Sequence, residues 1–462
     1  MGCWSNGRSP SFRTECWSDL KRTNGPKSLR GSGRRMMAIP QKIKDEMSIR
    51  RRDFHKYPES GWAEFRTTAV IAGILTKAGW KVRFAKDFID PDEVMGYTID
   101  PKRERARAAA QGADKKILTK IGDYTGLTAL LDTGKKGPVT IFRFDIDCVD
   151  TEEARDTEHL PAREGFASVN PGCMHACGHD GHAAVGLALA EMLSEAKDRL
   201  RGKIRLIFQP AEEGVRGGYA MSMAGVADDA DYFIAMHLGL GKPTGSVFCG
   251  TGGFLCSTKF DADFRGVGAH AGGEPERGKN ALLAAAAAAV NMHAIAPHSG
   301  GATRVNVGVL NAGEGRNVVP PNAHMKIETR GESYALASYV YAKAKEVIYG
   351  AAQMYDVDVS ISKQGETITA ESDRKLAAVI MKAAENSEGV TQREEYRAMA
   401  GSDDACWFMR RVQERRGLAT YVGIGAATAA GHHNNRFDFD ETAMTIALEV
   451  LLNSALLLNG EK

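Results

Sequence analysis

Short apolar segments alternate with helix-like stretches along much of this chain, and this alternation restricts the fold more than any other feature. The segments predicted as strands are Val139–Asp147, Lys203–Gln209, Asp231–His237 and Ala419–Gly423. The stretches predicted as helices are Ala183–Ala196, Ala220–Ala224, Lys375–Ala384 and Glu441–Leu457. Apolar strands that alternate with helices are typical of a mainly parallel sheet covered on both faces. The sequence therefore predicts the α/β class.

A second pattern interrupts the first one between residues 255 and 365. Two strand–helix–strand units are predicted there, with strands at Lys259–Gly266, Arg304–Ala312 and His324–Thr329 and helices at Asn280–Ile295 and Ala335–Tyr355. Such units fit a small α+β open-faced sandwich of the ferredoxin-like kind. Because 462 residues are too many for one core, we predict a discontinuous domain over 38–254 and 366–462, with the sandwich inserted at 255–365. Within the first part, Lys81–Gly122 is predicted as a long polar insertion with a helix at Pro101–Ala110.

Basic residues are concentrated at the start of the chain. Residues 1–37 contain eight Lys and Arg and two acidic residues, whereas the whole chain has a formal net charge of +2. The remainder is slightly acidic, which disfavours a nucleic-acid partner, and residues 1–37 are predicted to form a disordered basic tail. No apolar stretch reaches the roughly 18 residues of a membrane span, and no apolar secretion signal is present. We therefore expect no membrane partner, a cytoplasmic location, and reduced thiols at the eight irregularly spaced cysteines.

The segment Met174–His182 contains three histidines, one cysteine and one aspartate directly before an apolar helix. Thiolate and imidazole are the usual ligands of borderline divalent metals, so Cys177 and His179 are candidate ligands. His175 and His182 are open to a supporting or purely structural role. The competing interpretation, a polar helix cap beside a free core cysteine, requires this clustering to be accidental.

Two adjacent carboxylates, Glu212 and Glu213, follow the predicted strand Lys203–Gln209. Open α/β sheets place their sites at the carboxyl ends of their strands. Because neighbouring side chains diverge, one glutamate can bind a metal while the other addresses a water molecule. Paired glutamates are also common on exposed loops, so this signal depends on its position after the strand.

Other predicted strands end in further candidate ligands. His237 ends the strand Asp231–His237, and His432 and His433 follow the last strand after a Gly/Ala loop; one of this pair is a candidate ligand. The predicted strand Val139–Asp147 ends in Asp145 and Asp147, which can orient a ligating imidazole from behind.

Taken in order, H-A-C-G-H-D-G-H, Q-P-A-E-E-G, A-M-H and H-H-N-x-x-F-D-F-D-E resemble the motifs of the amidohydrolase metallopeptidases. This family includes hippurate hydrolases, auxin-conjugate hydrolases and aminobenzoyl-glutamate hydrolases. The segment Arg51–Trp62 is similar to the start of the family pattern, and the likeness covers roughly residues 48–460. Gly401-Ser402-Asp403-Asp404 and His433-Asn434-Asn435 replace the G-S-E-D and H-S-P that neighbouring branches usually carry. These departures favour the aminobenzoyl-glutamate branch.

The resemblance implies a dinuclear-metal peptidase-like catalytic domain with an inserted dimerisation or lid domain. It implies two divalent metal ions per chain, with Cys177 bridging them. The residues that complete the ligand set would be His179, Glu213, His237 and His433, and Glu212 would be the general base and acid. A thiolate bridge suits zinc, but the family is often manganese-dependent, so manganese is slightly favoured over zinc.

The inserted domain supplies further residues by resemblance. His270, within Gly268–Gly272, matches the histidine that reaches across a dimer interface to stabilise the oxyanion. Asn317 and Arg330 match the pair that holds the substrate carboxylate, a role that suits the planar guanidinium fork. The expected partner is therefore a second copy of the chain or a related subunit.

The function predicted from these residues is hydrolysis of the amide bond of an N-acyl amino acid, with p-aminobenzoyl-glutamate as the best candidate substrate. Two alternatives stay open. One is hydrolysis of another N-acyl amino acid, such as hippurate or an acetylated diamino acid. The other is a non-catalytic subunit of a hetero-oligomeric hydrolase.

Overall fold

The chain alternates strands and helices throughout the part that the computed structural model describes, residues 37–399 and 401–461. The predicted tail over 1–37 lies outside these residues, apart from Met37. The α-helices are α1 Gln41–Lys56, α2 Phe65–Lys77, α3 Pro101–Ala110, α4 Lys115–Ile121, α5 Leu160–Arg163, α6 His179–Glu195, α7 Gly217–Met223, α8 Ala281–His293, α9 Tyr334–Met354, α10 Arg374–Glu385, α11 Ala405–Glu414 and α12 Thr442–Asn459. The strands are β1 Lys81–Phe84, β2 Leu127–Asp132, β3 Val139–Asp145, β4 Lys203–Gln209, β5 Tyr232–Gly239, β6 Ser246–Phe248, β7 Thr251–Gly252, β8 Cys256–Arg265, β9 Thr303–Ala312, β10 Asn322–Gly331, β11 Asp358–Thr367, β12 Gln392–Glu394, β13 Arg397–Ala398 and β14 Leu418–Gly425.

The larger sheet has eight strands in the order β1-β2-β4-β3-β5-β14-β6-β12. Its centre, β4-β3-β5-β14, is parallel, whereas β1 and β2 at one end and β6 at the other pair antiparallel to their inner neighbours. The predicted mainly parallel α/β sheet is confirmed. Its four central strands are the four that were predicted from their apolar sequence.

Helices cover both faces of this sheet. Successive side chains of a strand point to opposite faces, so each central strand contributes to two buried layers. On one face, Ile141 and Ile207 share a buried core with residues of α7 and α11. On the other face, Phe144 and Phe208 lie against α6, where a side-chain carbon at Gly186 would come within 2.8 Å of each ring. A glycine at this position therefore lets α6 approach the sheet closely enough to position its first turn over the strand ends.

A second sheet is formed by the antiparallel strands β11-β8-β10-β9. Helices α8 and α9 pack on one of its faces, around Phe260, Phe264 and Met325. The order of elements, β8-α8-β9-β10-α9-β11, is that of the predicted ferredoxin-like sandwich. The opposite face carries charged side chains that include Lys259, Glu328 and Arg330. The domain boundaries at 255 and 365 stay a prediction.

Two segments differ from the expectation. The predicted polar insertion Lys81–Gly122 supplies β1 to the large sheet, and its helix α4 packs Leu118 and Ile121 with α2 residues in a small buried core. Helix α6 begins at His179, four residues before the predicted start. Among the described helices, α12 alone is long and apolar enough to cross a membrane. However, 72% of this helix is buried inside the protein.

Candidate metal centre

The carboxyl ends of the parallel strands bring the predicted residues to one edge of the sheet. The ends of β3 and β4 are paired at Asp145 and Gln209, and His237 on β5 is paired with Gly423 on β14. Asp147, Glu212 and His433 lie on the loops that leave these strands. Because neighbouring strands end in register, short loops are sufficient to converge the side chains.

Cys177 lies at the centre of two groups of ligand-type side chains. Its Sγ belongs to one group with His179 and Glu213 and to another with His237 and His432, and within each group the ligand atoms lie within 4.8 Å of one another. The Cys177 Sγ atom is 3.5 Å from His237 Nε2. One thiolate shared by two groups is the arrangement that a bridged pair of divalent ions requires.

The hydrogen bonds of the imidazoles show which ring nitrogens are free to bind a metal. His179 donates from Nδ1 to the Asp147 carbonyl at 3.0 Å, and His237 donates from Nδ1 to the Leu238 carbonyl at 2.7 Å. Because a backbone carbonyl engages each Nδ1, Nε2 is the nitrogen that each ring has left for a metal ion. Among the described residues, His179 Nε2 and Glu213 Oε1 are buried atoms without a hydrogen-bond partner. These free lone pairs fit divalent metal ions.

His182 does not take part, although it lies beside His179. Its Nε2 accepts the Leu238 N–H at 3.0 Å, and its Nδ1 hydrogen-bonds to Asp145. Asp145 also accepts from Arg143 at 2.6 Å. With both ring nitrogens used, His182 links α6 to β3 and β5, which favours a supporting role over that of a ligand.

Asp147 contacts the His179 imidazole and the backbone of Glu213. Its backbone carbonyl accepts from His179, and its Oδ2 accepts the Glu213 N–H at 2.9 Å. Asp147 thus lies behind two candidate ligands, and its orienting role stays a prediction. Replacing its side chain would remove the acceptor of the Glu213 N–H, whereas its backbone carbonyl would still accept from His179.

The adjacent residues His432 and His433 point in different directions. His433 has a positive φ of 65°, and its Nε2 lies 3.4 Å from Glu213 Oε1. His432 accepts the Leu240 N–H at Nε2, 3.2 Å away, so its Nδ1 carries the proton that faces Cys177 Sγ at 3.5 Å. The grouping by distance includes His432 and not His433, but the contact of His432 Nε2 with Leu240 and that of His433 with Glu213 favour His433 as the ligand and His432 as a hydrogen-bond donor to the thiolate. The donor role of His432 was not predicted, because two neighbouring histidines differ only in backbone direction.

Backbone strain accumulates around this centre. Positive φ values occur at the non-glycine residues Ala211 (50°), Val215 (58°), Leu240 (54°) and His433 (65°). Such conformations are costly outside glycine and concentrate at functional sites. Gly239 has φ +88°, and a Cβ there would lie 2.7 Å from His432 Nε2. The close packing of His432 against β5 therefore requires a glycine at position 239.

A buried ionic network anchors the first turn of α6, which carries His179. Asp180 accepts from Arg51 Nε at 2.9 Å and from His55 Nδ1 at 2.8 Å. Arg51 also reaches Asp438, which lies just before α12. Burial opposes the ionisation of Asp180, but Arg51 and His55 outweigh it and hold the pKa of Asp180 below its ordinary value. His55 is thus a buried member of this network.

Glu212 lies beside the two groups without belonging to either. Its Oε2 is 3.9 Å from His179 Nε2. Burial, followed by the charges of Asp403, Glu213 and Asp404, raises the pKa of Glu212 well above its ordinary value. Asp403 and Asp404 are committed elsewhere: Asp403 accepts from Tyr421 Oη at 2.7 Å, and Asp404 accepts from Gln209 Nε2 at 2.7 Å. Glu212 is therefore a carboxyl beside the ligand groups that has no place in either of them.

A cavity of about 300 Å³ opens beside Cys177, Glu212 and His433. Arg330 and Lys259 from the smaller sheet line it, and Lys259 was not singled out by sequence analysis. His270 and Asn317 lie outside this lining, next to each other through the hydrogen bond from the Ala271 N–H to the Asn317 carbonyl. Within one chain, Arg330 thus reaches the cavity from the inserted sandwich, whereas His270 and Asn317 of the same sandwich lie outside the cavity lining.

Metal analysis separates the two histidines of the last loop. We expect the wild-type chain to bind up to two divalent ions, Cys177→Ala to lose at least one, and His433→Gln to lose one. The matched variant His432→Gln should keep both ions, because His432 uses its second nitrogen on Leu240. Full metal occupancy in a Cys177→Ala, His179→Ala double variant would contradict the centre as a whole.

Comparison with known proteins places the chain among amide-bond hydrolases. The family model described as peptidase family M20/M25/M40 matches residues 141–456. Indole-3-acetyl-aspartic acid hydrolase from Enterobacter agglomerans is 51% identical over 89% of this chain and 95% of that protein. A p-aminobenzoyl-glutamate hydrolase subunit from Escherichia coli (strain K12) is 49% identical over 89% of this chain and 95% of that protein.

Solved structures agree with this placement. An aminobenzoyl-glutamate utilization protein from Klebsiella pneumoniae superposes with a TM-score of 0.77 at 42% identity, over 90% of this chain and 96% of that one. A dinuclear metal-binding peptidase of the M20 family from Bacillus subtilis has a TM-score of 0.59 at 22% identity, over 90% of this chain and 99% of that one. The second likeness extends to the fold alone.

Proposed function

The chain belongs to peptidase family M20/M25/M40 and, from its likeness to two named hydrolases, is an amidohydrolase acting on N-acyl amino acids; we propose that its substrate is p-aminobenzoyl-glutamate. The observation that carries this proposal is the Cys177-centred ligand cluster, which adjoins Glu212 and a cavity containing Arg330. The names of the two similar hydrolases describe an aromatic acyl group joined to an acidic amino acid. Water would convert the substrate into p-aminobenzoate and glutamate.

The residues of the centre divide the work of hydrolysis. Two divalent ions, Mn²⁺ in preference to Zn²⁺, would be held by Cys177, His179, Glu213, His237 and His433. Bound ions supply positive charge that polarises the amide carbonyl and makes a water molecule more acidic. Glu212 takes a proton from the attacking water and returns a proton to the leaving nitrogen as the C–N bond breaks. Its buried position beside His179 suits both steps.

The remaining predicted residues bind and orient the substrate. The Arg330 guanidinium meets the α-carboxylate of the amino acid through parallel hydrogen bonds, together with Asn317. His270 stabilises the oxyanion in the active site of a neighbouring subunit. The enzyme is therefore proposed to act as a homodimer, or as a heterodimer with a related chain, through the inserted domain over 255–365. A cytoplasmic location completes the proposal.

A release assay tests the substrate. The full chain, loaded with Mn²⁺ or with Zn²⁺, is incubated with p-aminobenzoyl-glutamate, hippurate or N-acetyl amino acids, and the free amine is measured. We expect p-aminobenzoyl-glutamate to be cleaved with the highest kcat/KM. Equal or better cleavage of hippurate or an acetylated diamino acid would contradict p-aminobenzoyl-glutamate as the substrate and favour another N-acyl amino acid. No cleavage by fully metal-loaded protein would favour the non-catalytic subunit.

A further inference from the structure

Two cationic side chains from the smaller sheet lie on the same wall of the cavity. Lys259 on β8 stands directly opposite Glu328 on β10 in the antiparallel register, and Arg330 follows two residues later on β10. Residues two apart on a strand share a face, so these three side chains project together. Lys259 and Arg330 both line the cavity, beside Glu213 and His433.

The two cations differ in how firmly they are engaged. Glu328 accepts from Arg330 Nε at 2.9 Å and from Arg330 Nη2 at 3.1 Å, so the guanidinium is bound through two nitrogens. Glu328 also accepts from Ser257 Oγ at 3.0 Å. The Lys259 ammonium is farther away, at 3.6 Å from Glu328 Oε1. Since an ammonium has three donors, Lys259 keeps hydrogen-bonding capacity that faces the cavity.

The cavity lining contains both cationic and apolar side chains. Lys259 and Arg330 are the Lys and Arg side chains among the described residues that line it, whereas Val215, Leu240 and Met399 contribute apolar surface. An aromatic acyl group fits the apolar surface, and the amino-acid part fits the cationic one. If one carboxylate of the substrate engages Arg330, the second cation is free for another anionic group.

We propose that Lys259 binds the side-chain carboxylate of the substrate and makes the enzyme selective for N-acyl derivatives of acidic amino acids. This inference rests on the proposed function, in which the amino acid released is glutamate. It adds a second anion subsite to the one assigned to Arg330. An amino acid with a neutral side chain would leave the Lys259 ammonium without its partner.

The test compares p-aminobenzoyl-glutamate with p-aminobenzoyl-glutamine, which has the same shape but lacks the second charge. In metal-loaded wild type, kcat/KM should favour the glutamate compound. Lys259→Gln should lower kcat/KM for the glutamate compound by about 10- to 100-fold, the usual scale for losing a hydrogen bond between charged groups. Activity on the glutamine compound should stay within about threefold.

Two further variants control for loss of structure. Lys259→Arg should keep most of the preference for glutamate, because it retains the charge. Lys326→Gln removes a lysine from the same face of β10, two residues before Glu328 and outside the cavity lining, and should change neither substrate. Equal losses on both substrates in Lys259→Gln, or no loss on either, would overturn the proposal.

Binding measured without turnover separates this inference from the proposed function. Calorimetric titration of the Glu212→Gln variant with each compound should give tighter binding of the glutamate compound, and the added change Lys259→Gln should abolish the difference. If wild type cleaves neither compound, the proposed function fails, and the titration still decides the role of Lys259. Equal affinities for the two compounds in the Glu212→Gln variant would contradict the subsite directly.

Discussion

Glu212→Gln is expected to keep its metal ions and to lose about 10²- to 10⁴-fold in kcat, the usual contribution of a general acid–base group. The amide has nearly the shape of the carboxyl but cannot accept and return a proton. Because Glu212 lies beside the ligand groups without joining either, the ions should stay bound. Metal analysis and kcat on the same preparation measure the two effects together.

Glu213→Gln is the matched control, since it makes the same chemical change at the next position. Glu213 belongs to the group formed by Cys177 and His179, so this variant should lose metal first and activity as a consequence. Added Mn²⁺ should restore part of its activity and none of the activity of Glu212→Gln. Near-normal turnover in Glu212→Gln would show that another group is the general base.

His270→Ala is expected to lose about 10²- to 10³-fold in kcat, the scale for removal of one oxyanion donor. Within a single chain, His270 is exposed on the loop after β8, and its Nδ1 accepts the Gly272 N–H at 3.2 Å. Its Nε2 is thus the nitrogen available to a substrate. Because His270 does not line the cavity of its own chain, the loss should arise in a neighbouring active site.

Mixing subunits tests this arrangement. Inactive His270→Ala chains and inactive Glu212→Gln chains, once exchanged, form hybrid dimers in which one composite site is intact, so part of the activity should return. Separated monomers should be inactive even with metal bound. Absence of rescue after confirmed subunit exchange would remove the role across the interface, and full activity of His270→Ala would remove the catalytic role.

The central strands, and the candidate site residues at their carboxyl ends, could be predicted because both depend on local sequence. Apolar runs such as Lys203–Gln209 followed by Glu212 and Glu213 carry both the fold and the site in a few residues. The short strands β6, β7, β12 and β13, of two or three residues each, were not predicted. Their pairing is set by distant partners rather than by their own pattern.

The start of α6 and the distinction between His432 and His433 depend on contacts that no local pattern contains. Asp180 enters the helix because Arg51 and His55, more than a hundred residues earlier in the chain, hold its carboxylate. His433 reaches Glu213 because its backbone adopts a positive φ. Lys259 was missed for a similar reason, since only the pairing of β8 with β10 places it beside Arg330.

The position of β14 in the large sheet has a consequence for the order in which the protein can be made. This strand lies between β5 and β6, yet β5 ends at Gly239 and β14 begins at Leu418. At about 5–20 residues per second, a ribosome needs roughly 10–40 s to pass from one to the other. During that time β5 and β6 have unpaired edges, which are templates for association with other chains. Nascent chains halted before residue 418 should therefore aggregate or engage chaperones, and full-length chains should not.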